Sequence, residues 1–391
     1  MSREKHVPGK IKIIYAYASF YRNAGGEMHP LFLAEGLNKS EFDFSICVIE
    51  NSRSAIRMKI EASGCRIHDL NLSRRFYNPL NAIRIVSGFR RLFKAERPQI
   101  VQTQALHANL FARLAAKLAG VPRVVSTENS LPAIETNKLR RMLNAMLHWL
   151  NRGFDRFTHR IVVVSEQLRN LKAVTGTASK IEVIPPPFDL DSCEMFRSSG
   201  REFPPFENPS RVTIGVVGRL SSEKGHRFLI AAMPEILRHM PKARLKLYGT
   251  GPAEHSLRRL AAELQVSEAV GFEGYRLDIF DELNRLDALF VPSLSDAFPI
   301  VILEGLAMEL PVVGTSVDGI PEMIRHRITG LLVPPADSSA LVGAFNALAS
   351  APDMARRMGQ KGRQWVLSQC HPKRFVAMHE SLYRELSRQG G

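Results

Sequence analysis

Cysteine is sparse. The four thiols of this 391-residue chain, Cys47, Cys65, Cys193 and Cys370, lie far apart and form no C-x2-C pair. That spacing argues against zinc and against a disulfide framework, and fits a reducing compartment. No apolar run approaches the length that spans a bilayer, and Met1–Lys10 lacks the apolar core of a secretory signal. The expectation is a cytoplasmic protein, neither secreted nor integral to a membrane. No short repeat of the solenoid kind recurs. Acidic side chains are also few, with 38 Asp and Glu against 53 Lys and Arg, and the net charge is +15. Residues 1–190 hold 29 basic and 15 acidic side chains, whereas residues 191–391 hold 24 and 23. Such segregation suggests that the first half meets something anionic, with a solubilising basic surface as the plainer alternative.

The length exceeds one comfortable core and suggests two domains. Short apolar strands at Ile11–Ala16, Phe42–Ile49, Ile100–Gln104, Arg123–Thr127, Arg160–Val164 and Ile181–Ile184 alternate with helical stretches. After a Pro-, Ser- and charge-rich passage the alternation restarts at Val212 and runs to Val333, with helices closing the chain. Two rounds of βα alternation imply two parallel sheets covered by helices. The expected division is 1–188 for a first Rossmann-like domain, 189–209 for a linker and 210–370 for a second domain. A last helix, 371–391, is expected to return to the first domain.

Within the second half, Pro292–Val313 reads as a polar loop after a strand ending at Val291, a helix entered near Phe298, and a strand from Pro311. Pro299 suits a first helical turn, which has spare N–H groups. Asp296 then sits at the helix mouth and Glu304 about two turns in, so both carboxylates can accept hydrogen bonds from hydroxyls at one rim. An N-cap Asp followed by a surface Glu is the bland alternative. Upstream, Gly218-Arg219-Leu220-Ser221-Ser222-Glu223-Lys224-Gly225 follows a strand and offers a planar fork and a point charge able to clamp a diphosphate. Gly249-Thr250-Gly251 is not completed to G-x-G-x-x-G, because position 254 is Glu, and a Rossmann dehydrogenase is disfavoured.

These two elements resemble the Glu-x7-Glu signature and the G-R-x3-x-K-G element of retaining family 4 glycosyltransferases. The likeness is strongest over Val212–Val333 and stays in register over Ile11–Phe188. It implies the GT-B architecture, an α/β fold of two Rossmann-like domains with parallel sheets facing across a cleft. It further implies a ribose-binding role for Glu304 and a donor-sugar role for Asp296, one methylene shorter than the usual Glu. Arg219 and Lys224 would bind the donor phosphates and stabilise the leaving group. Gly218, Tyr275 and Phe298 belong to the implied donor site, and Gly25 and Gly26 match a glycine loop that approaches the pyrophosphate. His107 is implied to act near the sugar or acceptor, with Glu128 and Asn129 on the acceptor side. Glu322, in a G-x-P-E turn, is read as a helix N-terminal acid, and Ser165 as a cap. Asp189-Leu190-Asp191 is read as a chance D-x-D. No metal and no cofactor are expected.

The implied activity is transfer of a sugar, with retention, from a nucleotide diphosphate sugar to a lipid-linked or saccharide acceptor, in polysaccharide, lipopolysaccharide or glycolipid synthesis. Lys138–Phe157 intersperses basic residues with Leu, Met, Trp and Phe, a pattern that can lie in a lipid headgroup region. An anionic membrane surface is therefore an expected partner, with peripheral association at its inner face. A nucleotide-sugar epimerase shares the double-Rossmann plan and is the enzymatic rival. Nucleic-acid binding is disfavoured, since no aromatic platform, zinc finger or helix-turn-helix pattern accompanies the basic half.

Overall fold

Short segments of three to seven residues bounded by turns become parallel strands in two separate sheets. The computed structural model describes residues 9–20, 27–52, 54–73, 76, 78–129, 138–197, 206–207, 212–276 and 279–388. The chain divides into two compact units, Met1–Pro187 with Pro372–Gly391, and Phe188–His371.

In the first unit the elements are β1 (Ile11–Tyr17), α1 (Met28–Gly36), β2 (Phe42–Val48), α2 (Ala55–Ala62), β3 (Arg66–Asp69), α3 (Pro79–Glu96) and β4 (Ile100–Gln104). They continue with α4 (Leu106–Ala119), β5 (Arg123–Glu128), α5 (Lys138–Phe154), β6 (Arg160–Val163), α6 (Glu166–Lys172) and β7 (Ile181–Val183). The sheet order is β3-β2-β1-β4-β5-β6-β7, and every pair is parallel. Strand β4 carries Gln102, Thr103 and Gln104 fully buried. Their polar ends are satisfied inside the unit: Gln102 donates to Thr127 at 2.8 Å, Thr103 to Asn109 at 2.6 Å, and Tyr15 donates to Gln104 at 2.7 Å. Arg113 is also fully buried, and donates to Asp155 at 2.8 Å and to the Asn109 and Asn151 carbonyls.

The second unit contains α7 (Leu190–Arg197), β8 (Thr213–Val217), α8 (His226–His239), β9 (Arg244–Tyr248), α9 (Glu254–Glu263), β10 (Val270–Gly274) and α10 (Ile279–Asn284). Then follow β11 (Ala288–Val291), α11 (Ile300–Ala307), β12 (Val312–Thr315), α12 (Ile320–Met323), β13 (Gly330–Val333), α13 (Ser338–Ala349) and α14 (Pro352–Gln369). Its sheet order is β10-β9-β8-β11-β12-β13, again parallel throughout. Helix α15 (Pro372–Arg388) returns to the first unit, where Phe375, Leu382 and Tyr383 join the core with β1 and β2.

Within the stretch read as a linker, α7 packs against the second unit. Leu190, Cys193 and Phe196, spaced by three, give α7 an apolar stripe. Cys193 lies fully buried with its Sγ 3.4 Å from Met308 Sδ, and Phe196 stacks on Phe280. The stripe is hidden in sequence by the charged and polar residues between its members. The α2–β3 segment and α10 were also not read from the sequence. Among the described residues no helix is long and apolar enough to cross a membrane.

Candidate active site

In each sheet the strand order reverses once, between β1 and β4 and between β8 and β11, and the carboxyl ends of strands at such a reversal form a ligand-binding crevice. In the second unit the loops leaving β8, β9 and β11 are drawn together by backbone contact. Gly225, at φ +67°, lies so close to the β11 exit that an added Cβ would stand 1.8 Å from the Pro292 carbonyl oxygen. Gly249, at φ +135°, would place a Cβ 2.0 Å from the Gly218 carbonyl oxygen. Neither approach tolerates a side chain. The Leu220 N–H donates to the Thr250 carbonyl at 3.0 Å, and the Leu294 N–H to the Glu223 carbonyl at 2.7 Å.

This lacing fixes the charged groups. Lys224 Nζ donates to Asp296 Oδ2 at 2.5 Å, joining the β8 and β11 loops. Asp296 is positioned in turn by its own N–H donating to Asp318 at 2.8 Å, and Ser295 donates to the same carboxylate oxygen at 2.6 Å. Burial pushes the Asp296 carboxyl above its ordinary range; Lys224 opposes this and Asp318 adds to it. Arg219 is 61% exposed, its guanidinium resting on Glu223 at 2.7 Å, while Ser221 donates to the same Glu223 oxygen at 2.6 Å. A planar five-donor fork is thus presented to solvent beside a half-buried ammonium.

Helix α11 begins at Ile300, with Pro299 as its extended N-cap (ψ 110°). Glu304 is therefore a little over one turn in, not two, because the proline caps the helix rather than opening it. Its half-buried carboxyl has no hydrogen-bond or ion-pair partner among the described residues, and burial pushes its pKa up to about 7. Phe298 is half-buried against the core of the α11 region, and Tyr275 is 63% exposed just after Gly274, whose carbonyl accepts from the Gly249 N–H at 2.7 Å. Gly218, Arg219, Lys224 and Asp296 thus lie on the laced β8 and β11 loops, with Phe298 and Glu304 leading into and on α11. Glu322 lies in the first turn of α12, and the Ser165 hydroxyl accepts from Leu168 N–H at 3.3 Å as a cap.

His226 was not singled out from the sequence. It heads α8 directly after Gly225, is 1% exposed, and neither ring nitrogen finds a partner among the described residues. Burial, and then the adjacent Lys224 charge, hold its pKa down to about 4, so the ring is neutral. Its position after a K-G pair at a helix start was the available signal. Asp318 and Ser295, which orient Asp296, were likewise missed.

In the first unit, Gly25 and Gly26 fall outside the described residues. His107 occupies the second position of α4, beyond β4 at the strand-order reversal, and stacks on Phe76 with ring centroids 3.9 Å apart. Ala105 before it holds φ +70°, unusual for a residue with a Cβ. Glu128 ends β5, but its carboxylate accepts from Lys172 at 2.5 Å and from Asn151 at 3.3 Å. Lys172 also reaches Asp155 at 3.1 Å, so Glu128 belongs to the buried Arg113 network. Asn129 follows, half-buried. Among the described residues no three His, Cys, Asp or Glu are grouped to hold a metal ion.

Comparison with known proteins defines the class. Residues 201–365 match the family model for Glycosyl transferases group 1, and residues 24–187 match that for a glycosyl transferase 4-like domain. The chain belongs to the group 1 glycosyltransferases, enzymes of the two-sheet GT-B class. It is 30% identical over 146 residues to the N-acetyl-alpha-D-glucosaminyl L-malate synthase of Bacillus anthracis, a stretch covering 37% of this chain and 38% of that protein. It is 28% identical over 271 residues to the GDP-mannose-dependent alpha-(1-6)-phosphatidylinositol monomannoside mannosyltransferase of Mycobacterium tuberculosis, covering 65% of this chain and 67% of that protein. The fold matches the crystal structure of Anabaena HepE in complex with UDP, with TM-score 0.76, 16% identity, and 96% and 100% of the two chains covered.

The elevated Glu304 pKa has a testable sign. A carboxyl raised in the folded state binds its proton more tightly there, so its contribution is fully present below its ordinary pKa. It is lost as pH rises from about 4.5 to about 7. Glu304→Gln should therefore melt with wild type near pH 4 and be more stable above pH 7, by about 1–2 kcal/mol once solvent access is allowed for. Thermal unfolding of both proteins across that range checks it, and a gap independent of pH would contradict the assignment.

Proposed function

We propose that this chain transfers a sugar from a nucleoside diphosphate sugar to an acceptor hydroxyl, with retention at the anomeric carbon. The observation that carries the reading is the Lys224–Asp296 pair at the carboxyl edge of the second sheet, on loops that also carry the exposed Arg219 and lead into the helix of Glu304. An incoming diphosphate competes with Asp296 for Lys224 and gains the Arg219 fork. Asp296, released, accepts hydrogen bonds from sugar hydroxyls, and Glu304 accepts from the ribose. As the bond from the anomeric carbon to the diphosphate oxygen breaks, charge grows on the leaving phosphate, and Arg219 and Lys224 stabilise it. The acceptor oxygen attacks the same face and its proton passes to the departing phosphate. His107, Asn129 and the glycine pair Gly25-Gly26 belong to the acceptor and pyrophosphate side of this scheme. Glu128, tied to Lys172, is assigned the lesser role of shaping that side.

The relatives' names support the substrate classes: GDP-mannose and a phosphatidylinositol mannoside for the mycobacterial enzyme, and UDP for the Anabaena structure. A lipid-linked acceptor agrees with the surface of α5, where Met142, Met146 and Trp149 are exposed on one helical face and Arg152 is exposed nearby. We take the protein to act peripherally at an anionic membrane face. Epimerisation, the rival chemistry, requires no acceptor, so acceptor-dependent turnover separates the two.

Steady-state kinetics test the roles. Arg219→Ala and Lys224→Ala should lower kcat roughly hundred- to thousand-fold, and Glu304→Ala should mainly raise the donor KM. Asp296→Asn should fall between these, and Asp296→Glu should be tolerated better than Asp296→Ala. Activity should persist in a chelator. Near-normal turnover of both cation variants would remove the phosphate clamp from the account. For the membrane surface, flotation with anionic and neutral vesicles at low salt should show anionic preference that weakens in Trp149→Ala. Equal recovery with both lipids contradicts peripheral docking through α5.

A further inference from the structure

At the amino edge of the first sheet, the starts of β5, β6 and β7 and the end of α4 line an open cavity of about 520 Å3. Among the described residues that line it none is acidic, whereas Lys117, Arg156, Arg160 and Lys180 all contribute. We propose that this cavity binds a phosphate group, carried either by a small organic phosphate or by the headgroup of an anionic lipid.

The cations are held in place without being neutralised. Lys117 Nζ sits 3.3 Å from the centroid of the Phe157 ring, and the Arg156 guanidinium carbon 4.6 Å from the same centroid. Lys180 Nζ donates to two backbone carbonyls, those of Asp155 at 3.2 Å and Arg156 at 3.4 Å. The nearest carboxylate in sequence, Asp155, is turned inward to Arg113 and Lys172. Arg160 is the exception, since one of its nitrogens donates to Glu385. Three positive groups therefore share one concavity, fixed by an aromatic ring and by carbonyls that leave their charge intact. Like charges sharing one concavity repel, and an anion among them offsets that repulsion.

The imidazole in the same wall registers this potential. His159 Nδ1 accepts from the Val124 N–H at 3.1 Å, which leaves the ring proton on Nε2. Burial, and then Arg123, Lys180 and Arg160, hold its pKa below the ordinary histidine range. A neutral N–H donor and the exposed Ser179 hydroxyl thus accompany the three cations, a donor set suited to phosphate oxygens. The volume lies in the range of small-ligand pockets, which favours a compact phosphate over a polymer backbone. The lipid source has a structural rationale too. Met142, Met146 and Trp149 recur at spacings of four and three on α5, and the chain runs from the end of α5 at Phe154 directly into Arg156 of the cavity wall.

The proposal is independent of the donor site, which lies in the other unit, and the test keeps the two apart. Calorimetric titration of the full chain with glycerol 3-phosphate, and flotation with phosphatidylglycerol against phosphatidylcholine vesicles, are compared with a Lys117→Gln/Arg156→Gln/Lys180→Gln variant. Folding of the variant is verified by circular dichroism and by unchanged binding of nucleoside diphosphate. Binding of at least one probe should weaken by at least about tenfold in the variant, as loss of charge-assisted contacts implies. Loss in the calorimetric arm identifies a free organic phosphate, and loss only in the flotation arm identifies a lipid headgroup. Equal binding by wild type and variant, or no binding of either probe to wild type, overturns the proposal.

Discussion

The Gly225 backbone rests against the Pro292 carbonyl with no room for a methyl group between them, and the geometry of the candidate site in the second unit depends on that approach. It brings the loop after β8 within a lysine's reach of the loop after β11, and the ion pair between Lys224 and Asp296 follows. The Glu223 carbonyl, accepting from Leu294, secures the same junction from the other side. Because β8 and β11 flank the point where strand order reverses, the cations and carboxylates gather where a parallel sheet opens to ligands. An alanine at position 225 would have to push apart two main chains and hold an unfavourable φ, so the glycine is a positional requirement of the site.

The two units use charge differently. In the second, opposite charges meet across loops and remain partly accessible, so a stronger anion can displace them. In the first, the Arg113–Asp155–Lys172–Glu128 network is largely buried and saturated with hydrogen bonds. Removing one member of such a network leaves an uncompensated charge, which costs about 3–5 kcal/mol, so these residues are fixed for folding rather than free for chemistry. The surplus positive charge of the first half therefore resides elsewhere, including the walls of the cavity beyond α4 and α5.

Most strands and long helices were legible because short apolar runs stand out between turns, as at Ile100–Gln104, whose bounds coincide with the observed strand, and at the strand ending at Val291. The β8 loop and the Asp296–Glu304 spacing stood out because they carry particular residue types at fixed offsets. What escaped was tertiary. The apolar stripe of α7 is diluted by charged neighbours, so composition alone read as linker. Nothing in sequence announces that His226 is buried with idle nitrogens, or that Asp318 orients Asp296 from 22 residues away. Glu128 looked available at a strand end because its partner Lys172 lies 44 residues downstream. The Glu304 depth was misjudged by the difference between a proline in the first turn and a proline at the cap.

The Lys224–Asp296 junction is the proposed binding place of a nucleoside diphosphate, and a crystal structure of the protein with UDP or GDP is the decisive measurement. A diphosphate is expected within hydrogen-bonding distance of Lys224 and Arg219, with ribose hydroxyls on the Glu304 carboxylate and a longer Lys224–Asp296 separation than 2.5 Å. A nucleotide bound elsewhere, with that ion pair intact, would contradict it.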